Sequence, residues 1–266
     1  MAFSFCNKLE FLAKIFFGQT EAMGIEHLEA ISAGGRTLFA TSHISGFDVQ
    51  LAGLVLCRHL GGVKIVATSD LLEGWSRPLH RIGGALAGKG NLLPIHHAGN
   101  GRNKRNFFYS ADFDTIKRQV EQAVPVVMAA YLEKQIIWHL PAKGGVGAVY
   151  LAQVTSNIKV IPVAVDVLSE KPIAMDGQLI KTALVKPAVR IIIGEPMAFE
   201  PIAGIELFSD LVRKNHGNVV LSRQERQTFH SFRNALREQS DLLMVELAKL
   251  LPKEKRGQWQ DKIQTG

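Results

Sequence analysis

The chain has 266 residues, with 31 Lys and Arg against 24 Asp and Glu, for a formal charge of +7. At 47% hydrophobic residues it can build one large core, and no run of about 18 uncharged apolar residues predicts a membrane-spanning helix. The cations are scattered rather than interleaved with aromatics, and no zinc-finger or RNA-binding signature occurs. The basic charge therefore suits lipid headgroups or acidic thioester carriers better than nucleic acid.

In chain order, phenylalanines at 3, 5, 11, 16 and 17 come first, interrupted by Lys8, Glu10 and Lys14. Charge breaks the apolar run and no small-residue cleavage site follows, so this is not a secretory signal. Residues 1–21 read as an amphipathic helix, suited to lying on a membrane or to packing on its own domain. Cys6 and Cys57 stand far apart and follow no paired spacing. They predict neither a disulfide nor a metal site, and a reducing compartment.

Short apolar runs then alternate with helical ones. Strands are expected at Thr37–Thr41, Val63–Ala67, Asn91–Ile95, Ile136–Leu140, Lys159–Val167 and Val189–Ile193. Helices are expected at Val49–Leu60, at Ser76–Ala87 with Pro78 in its first turn, at Phe113–Ala123 up to Pro125, and from Val146 to about Thr155. Residues 96–110, rich in Gly, Asn, Lys and Arg, read as a loop. The alternation predicts a mixed α/β domain over 22–200, a largely parallel sheet covered by helices. Beyond it, Ser222-Arg223-Gln224-Glu225 has capping-box spacing, and Phe229, Phe232, Leu236, Leu243, Leu247 and Leu250 recur at helical spacing up to Pro252. Residues 201–266 are expected to form a helical extension packed on the same domain.

Chemistry concentrates in Ser42-His43-Ile44-Ser45-Gly46-Phe47-Asp48, between an expected strand and an expected helix. On a continuous helix, residues five apart point about 140° away from each other. His43 and Asp48 can meet only across a bend, as a base and the carboxylate that orients it. The plainer alternative has Asp48 finishing the helix N-terminus in a Ser-x-x-Asp cap, with His43 a satisfied core histidine.

Other segments stand around this pair in order: Gly24-Ile25-Glu26-His27-Leu28, Gly90-Asn91-Leu92-Leu93, Ile161-Pro162-Val163-Ala164-Val165 and Ile193-Gly194-Glu195-Pro196-Met197. With them, residues 22–200 resemble the glycerophospholipid acyltransferases, of which lysophosphatidic acid acyltransferase is the familiar member. The resemblance implies transfer of a fatty acyl group from an acyl-CoA or acyl-ACP thioester to a lysophospholipid hydroxyl, with the thioester as substrate and no other cofactor. It implies His43 as base and Asp48 as its partner. Gly46 would let the backbone approach the thioester.

The chain departs from the family in two places. The second motif normally ends Gly-Asn-Leu-Leu-Ile-Asp-Arg, whereas Gly90-Asn91-Leu92-Leu93 runs on into Pro94-Ile95-His96-His97. The third is normally Phe-Pro-Glu-Gly-Thr-Arg; here Trp138-His139-Leu140-Pro141 leads to Ala142-Lys143-Gly144-Gly145. The missing arginines suit an acceptor phosphate. Either the acceptor differs, or other groups replace them, or activity is lost. The replacement candidates are His97, Arg102, Lys104, Arg105 and Lys143, for which a solvated surface turn is the alternative. Gly144 to Gly147 reads as a remnant of the third motif, holding an anion on backbone N–H groups, or as a tight turn. No metal site is expected. No Ser or Cys stands as a nucleophile beside His43, so no covalent acyl-enzyme is expected, and the protein is expected on the cytoplasmic face of a membrane, peripherally.

Overall fold

The computed structural model describes residues 5–29, 31, 35–44, 48–68, 91–95, 110–131, 139–168, 186–216 and 220–265. The expected helix at 76–87 and most of the 96–110 loop lie outside them. The fold is α/β, as expected. The described helices are α1 (Phe5–Phe16), α2 (Glu26–Glu29), α3 (Asp48–Leu60), α4 (Ser110–Glu121), α5 (Gly147–Val154), α6 (Ile205–His216), α7 (Arg223–Leu250) and α8 (Trp259–Thr265). The strands are β1 (Thr20–Met23), β2 (Arg36–Thr41), β3 (Lys64–Thr68), β4 (Leu92–Ile95), β5 (Val126–Ala129), β6 (Ile158–Leu168) and β7 (Ala188–Ile193). They form one sheet in the order β1-β7-β6-β2-β5-β3-β4. Strands β2 to β6 run parallel to one another, whereas β7 is antiparallel to β6 and β1 is parallel to β7.

Burial on both faces explains the composition of the central strands. Along β2, Leu38 and Ala40 face α4, α5, α6 and α7, while Phe39 faces α1 and α3. Strand β6 is buried from Val160 to Val167. A strand covered on both sides carries a continuous apolar run instead of alternation.

That same rule explains a strand the sequence pattern conceals. Val126-Val127-Met128-Ala129, following Pro125, forms β5 beside β2 with Leu38 opposite Val126. Four apolar residues are too few to show a period. Conversely, the described part of the expected Ile136–Leu140 strand, His139 and Leu140, is not strand.

The cysteines also correct an expectation. Cys6 in α1 and Cys57 in α3 form a disulfide, their Cα atoms 5.6 Å apart across 51 positions of sequence. Packing of the two helices brings them together: Leu9, Ala13 and Phe17 bury one side of the N-terminal segment among α3 residues such as Leu54. The cysteines thus no longer argue for a reducing compartment. In the chain-entropy picture a bridge of this span contributes about 2–4 kcal/mol. Thermal melts of the oxidised protein and of a Cys57→Ser variant should differ accordingly, and equal midpoints would show that the bridge adds nothing. The outer side of α1 leaves Phe11 58% and Ile15 37% exposed.

The capping box forms as expected. Ser222 Oγ accepts the Glu225 N–H at 3.2 Å and Glu225 Oε2 accepts the Ser222 N–H at 2.8 Å. Lys214 first, then Ser222, hold the Glu225 carboxyl down to about 2. From this start α7 buries Phe229, Leu236, Leu243, Met244 and Leu247 on the sheet. The chain then turns back through Lys253–Lys255 and α8 onto the 139–145 loop. Trp259, fully buried, donates from Nε1 to Pro141 O at 2.7 Å.

Candidate active site

Five parallel strands end at one edge of the sheet, and β2 is flanked there by β5 and β6. From β2 the chain crosses by α3 to β3, on one side. From β5 it crosses by α5 to β6, on the other side. The two crossovers lie on opposite faces, α3 in one apolar layer and α5 in the other. Open α/β sheets bind ligands outside the carboxyl ends of neighbouring strands whose crossovers leave on opposite faces. His43 stands there, two residues past the end of β2.

The end of β2 is held firmly. Ser42 N donates to Val163 O, and Ser42 Oγ accepts the Val165 N–H, both at 2.9 Å. The His43 N–H donates to Tyr131 Oη at 2.8 Å, and the Ile44 N–H donates to Asp48 Oδ2 at 2.6 Å. Asp48 is fully buried in the first turn of α3.

Asp48 therefore acts on the backbone. Its carboxylate turns back onto the Ile44 amide, one residue before the Ser45 amide that a Ser-x-x-Asp capping box would bond. The imidazole of His43 makes no hydrogen bond to it. His43 is half-buried, and its Nδ1 is enclosed without a hydrogen-bond partner among the described residues. Burial pushes the imidazole below the ordinary histidine range. It is thus neutral at pH 7 and able to accept a proton, and the positive end of α3 acts in the same sense.

The other expected site residues divide. Gly46, His97, Arg102 and Arg105 lie outside the described residues. Lys143 is exposed in the loop before α5. Gly144 has a packing reason to be glycine, because a Cβ there would clash with Ser240 Oγ and Met244 Cγ of α7. Gly145 N donates to Ala130 O at 2.9 Å, which ties this loop to the end of β5. The N-terminus of α5 consequently lies at the same edge as His43, and no side chain caps it.

Of the segments that carry the resemblance, two sit at the opposite edge. Strands β1 and β7 run against β2, so Gly24 to Leu28 and Ile193 to Met197 gather at the far end. There His27 Nδ1 donates to Ile193 O at 2.9 Å, and Gly24, at φ 74°, leaves no room for a Cβ beside that carbonyl. These residues join β1 to β7 and do not reach His43.

Tyr131 is the site residue that the sequence reading did not find. Its signal was a single aromatic after an apolar run, and its importance depends on β5 lying beside β2. A separate cavity of about 180 Å³, lined by Glu10, Lys14, Thr20, Leu54 and Arg58, opens between α1 and α3. Glu10 pairs with Lys14 at 2.7 Å and with Arg58 at 2.9 Å, so its charges are already compensated. Among the described residues no His, Cys, Asp or Glu cluster could hold a metal ion, and no helix is long and apolar enough to cross a membrane. No family model matches this chain, and no curated protein matches it.

Proposed function

We propose that the protein is a membrane-associated O-acyltransferase. It moves a fatty acyl group from an acyl-CoA or acyl-ACP thioester to the hydroxyl of a lysophospholipid such as 1-acylglycerol-3-phosphate, in phospholipid biosynthesis. One observation carries the reading: a desolvated imidazole lies beside the carboxyl ends of β2 and β5, its Nδ1 without a hydrogen-bond partner among the described residues.

With Nδ1 enclosed, Nε2 is the nitrogen left for a substrate. It takes the proton of the acceptor hydroxyl as the oxygen bonds to the thioester carbonyl carbon. The tetrahedral oxyanion collapses, the C–S bond breaks, and the imidazolium returns the proton to the departing thiolate. Backbone amides at the start of α3 would steady the oxyanion. Asp48 acts by fixing the peptide after His43. Lys143 and, from the segment that follows β4 in sequence, His97, Arg102 and Arg105 are the cations for an acceptor phosphate. Phe11 and Ile15, exposed one turn apart on α1, supply the apolar contact with a bilayer surface, peripherally and on the cytoplasmic side.

The purified protein should convert a panel of lysolipids to diacyl products with acyl-CoA or acyl-ACP, read by mass spectrometry. The engagement of Asp48 with backbone favours a second reading, a lipid-binding or scaffold protein on the same fold without activity. No product from any acceptor, together with sedimentation on anionic vesicles, would establish that reading in place of the first.

A further inference from the structure

Three consecutive residues at the end of β2 are each tied to a different element. Ser42 is bound on both sides to β6, through Val163 O and the Val165 N–H. The His43 N–H goes to the phenol oxygen of Tyr131, just beyond β5, and the Ile44 N–H goes to Asp48 of α3. An imidazole can point only where its own peptide directs it. When the amides on both sides of a Cα are spoken for, that direction is set before any substrate arrives.

We propose that Tyr131 is a positioning residue for His43, its phenol oxygen holding the peptide that sets the direction of the imidazole; the role rests on His43 being the base proposed above. The phenol is itself well anchored. Tyr131 is 4% exposed, and Ala130 N donates to Thr41 O at 2.8 Å, so the chain carrying the ring is fastened to β2. On its other side Gly145 comes so close that a Cβ there would stand 3.0 Å from Tyr131 Cα. The backbone that carries the ring is thus held on two sides. Asp48 bonds only the amide after His43; the amide of His43 itself is held by Tyr131.

Tyr131→Phe keeps the ring and removes only the oxygen, leaving a buried N–H without its acceptor. Three measurements on the full-length variant test the role. Amide hydrogen exchange at His43 should quicken about tenfold relative to the wild type, an effect of the size that one lost buried hydrogen bond gives. Carbethoxylation of His43 by diethyl pyrocarbonate, followed by peptide mass spectrometry, should change at least twofold while the other histidines keep their rates. Acyl transfer should lose about tenfold in kcat, with KM for thioester and lysolipid unchanged, because a misdirected base slows the chemical step and not binding. Unchanged exchange at His43 would overturn the proposal. So would faster exchange with both the carbethoxylation rate and kcat unaltered.

A wild-type protein that turns over no acceptor would defeat the acyltransferase reading. Exchange and carbethoxylation would then still decide the role of Tyr131 in holding His43. If the phenylalanine variant fails to fold, 3-fluorotyrosine at position 131 keeps the hydroxyl and weakens it as an acceptor. Exchange at His43 should then rise by a smaller factor, and no rise would overturn the role.

Discussion

Replacing His43 by alanine is expected to slow acyl transfer by about 10²–10⁴-fold, the range a positioned general base supplies, while the melting temperature stays within a few degrees. The size follows from the nucleophile. An alcohol is almost wholly protonated at neutral pH and must shed its proton as it attacks. The described residues place no second unengaged base beside His43: Asp48 accepts the Ile44 N–H and Tyr131 accepts the His43 N–H. Turnover equal to wild type in this variant would remove His43 from the mechanism.

The pH dependence carries the same signature. Burial depresses the imidazole, so the base stays neutral in acid longer than a free histidine. The acid limb of kcat/KM should fall below the ordinary histidine value of about 6.5. Stability follows with a definite sign. Below about 6.5 the unfolded chain binds a proton at this position that the native state refuses until its lower pKa is reached. The contribution is complete above that pH and is lost as pH falls through the window. Melts taken from about pH 7.5 to about pH 5 should show a decline that is shallower in the alanine variant. Equal slopes would mean that the imidazole is not desolvated.

Lys255→Met is expected to destabilise the fold by about 3–5 kcal/mol. Lys255 Nζ meets the Asp166 carboxylate and also donates to Val167 O at 2.9 Å. Both side chains are almost wholly buried, at 6% and 5% exposure. Removing the ammonium strands a carboxylate inside the protein, which costs far more than the pair itself contributes. For a chain of this size about 2–4 °C accompanies each kcal/mol, so the midpoint should drop by about 10 °C. Lys255→Met combined with Asp166→Leu removes both charges and should recover most of that loss. A double variant as unstable as the single one would show that lost packing, not a stranded charge, sets the cost. The chain around Lys255 and α7 also secure the 139–145 loop. Leu140 N donates to Lys255 O at 2.8 Å, and Ser240 Oγ donates to Gly145 O at 3.1 Å. The C-terminal segment thus holds the loop that ends beside Tyr131.

What could be read from the sequence was what near neighbours decide. The box at Ser222 and Glu225 closes within one turn, so its residue types suffice. The α/β class follows from long apolar runs such as that of β6 alternating with helical periods. The bend between β2 and α3 follows from the break in pattern at Ser42 to Asp48, and both roles for Asp48, orienter of His43 or brace at a helix start, were available there. Its carboxylate turns to the Ile44 amide, a partner that neither role names.

The rest depends on which elements become neighbours. Cys6 and Cys57 pair because α1 lies on α3, and their separation in sequence carries no trace of that contact. Val126 to Ala129 is a central strand because β2 has a vacant edge there, although four apolar residues after a proline announce nothing alone. Tyr131 reaches His43 across 88 positions because β5 lies beside β2. Local propensity and pattern act over a few residues and are written in the chain. Strand order and contact between distant side chains come from burying all the apolar surfaces at once, and they exist only in the folded molecule.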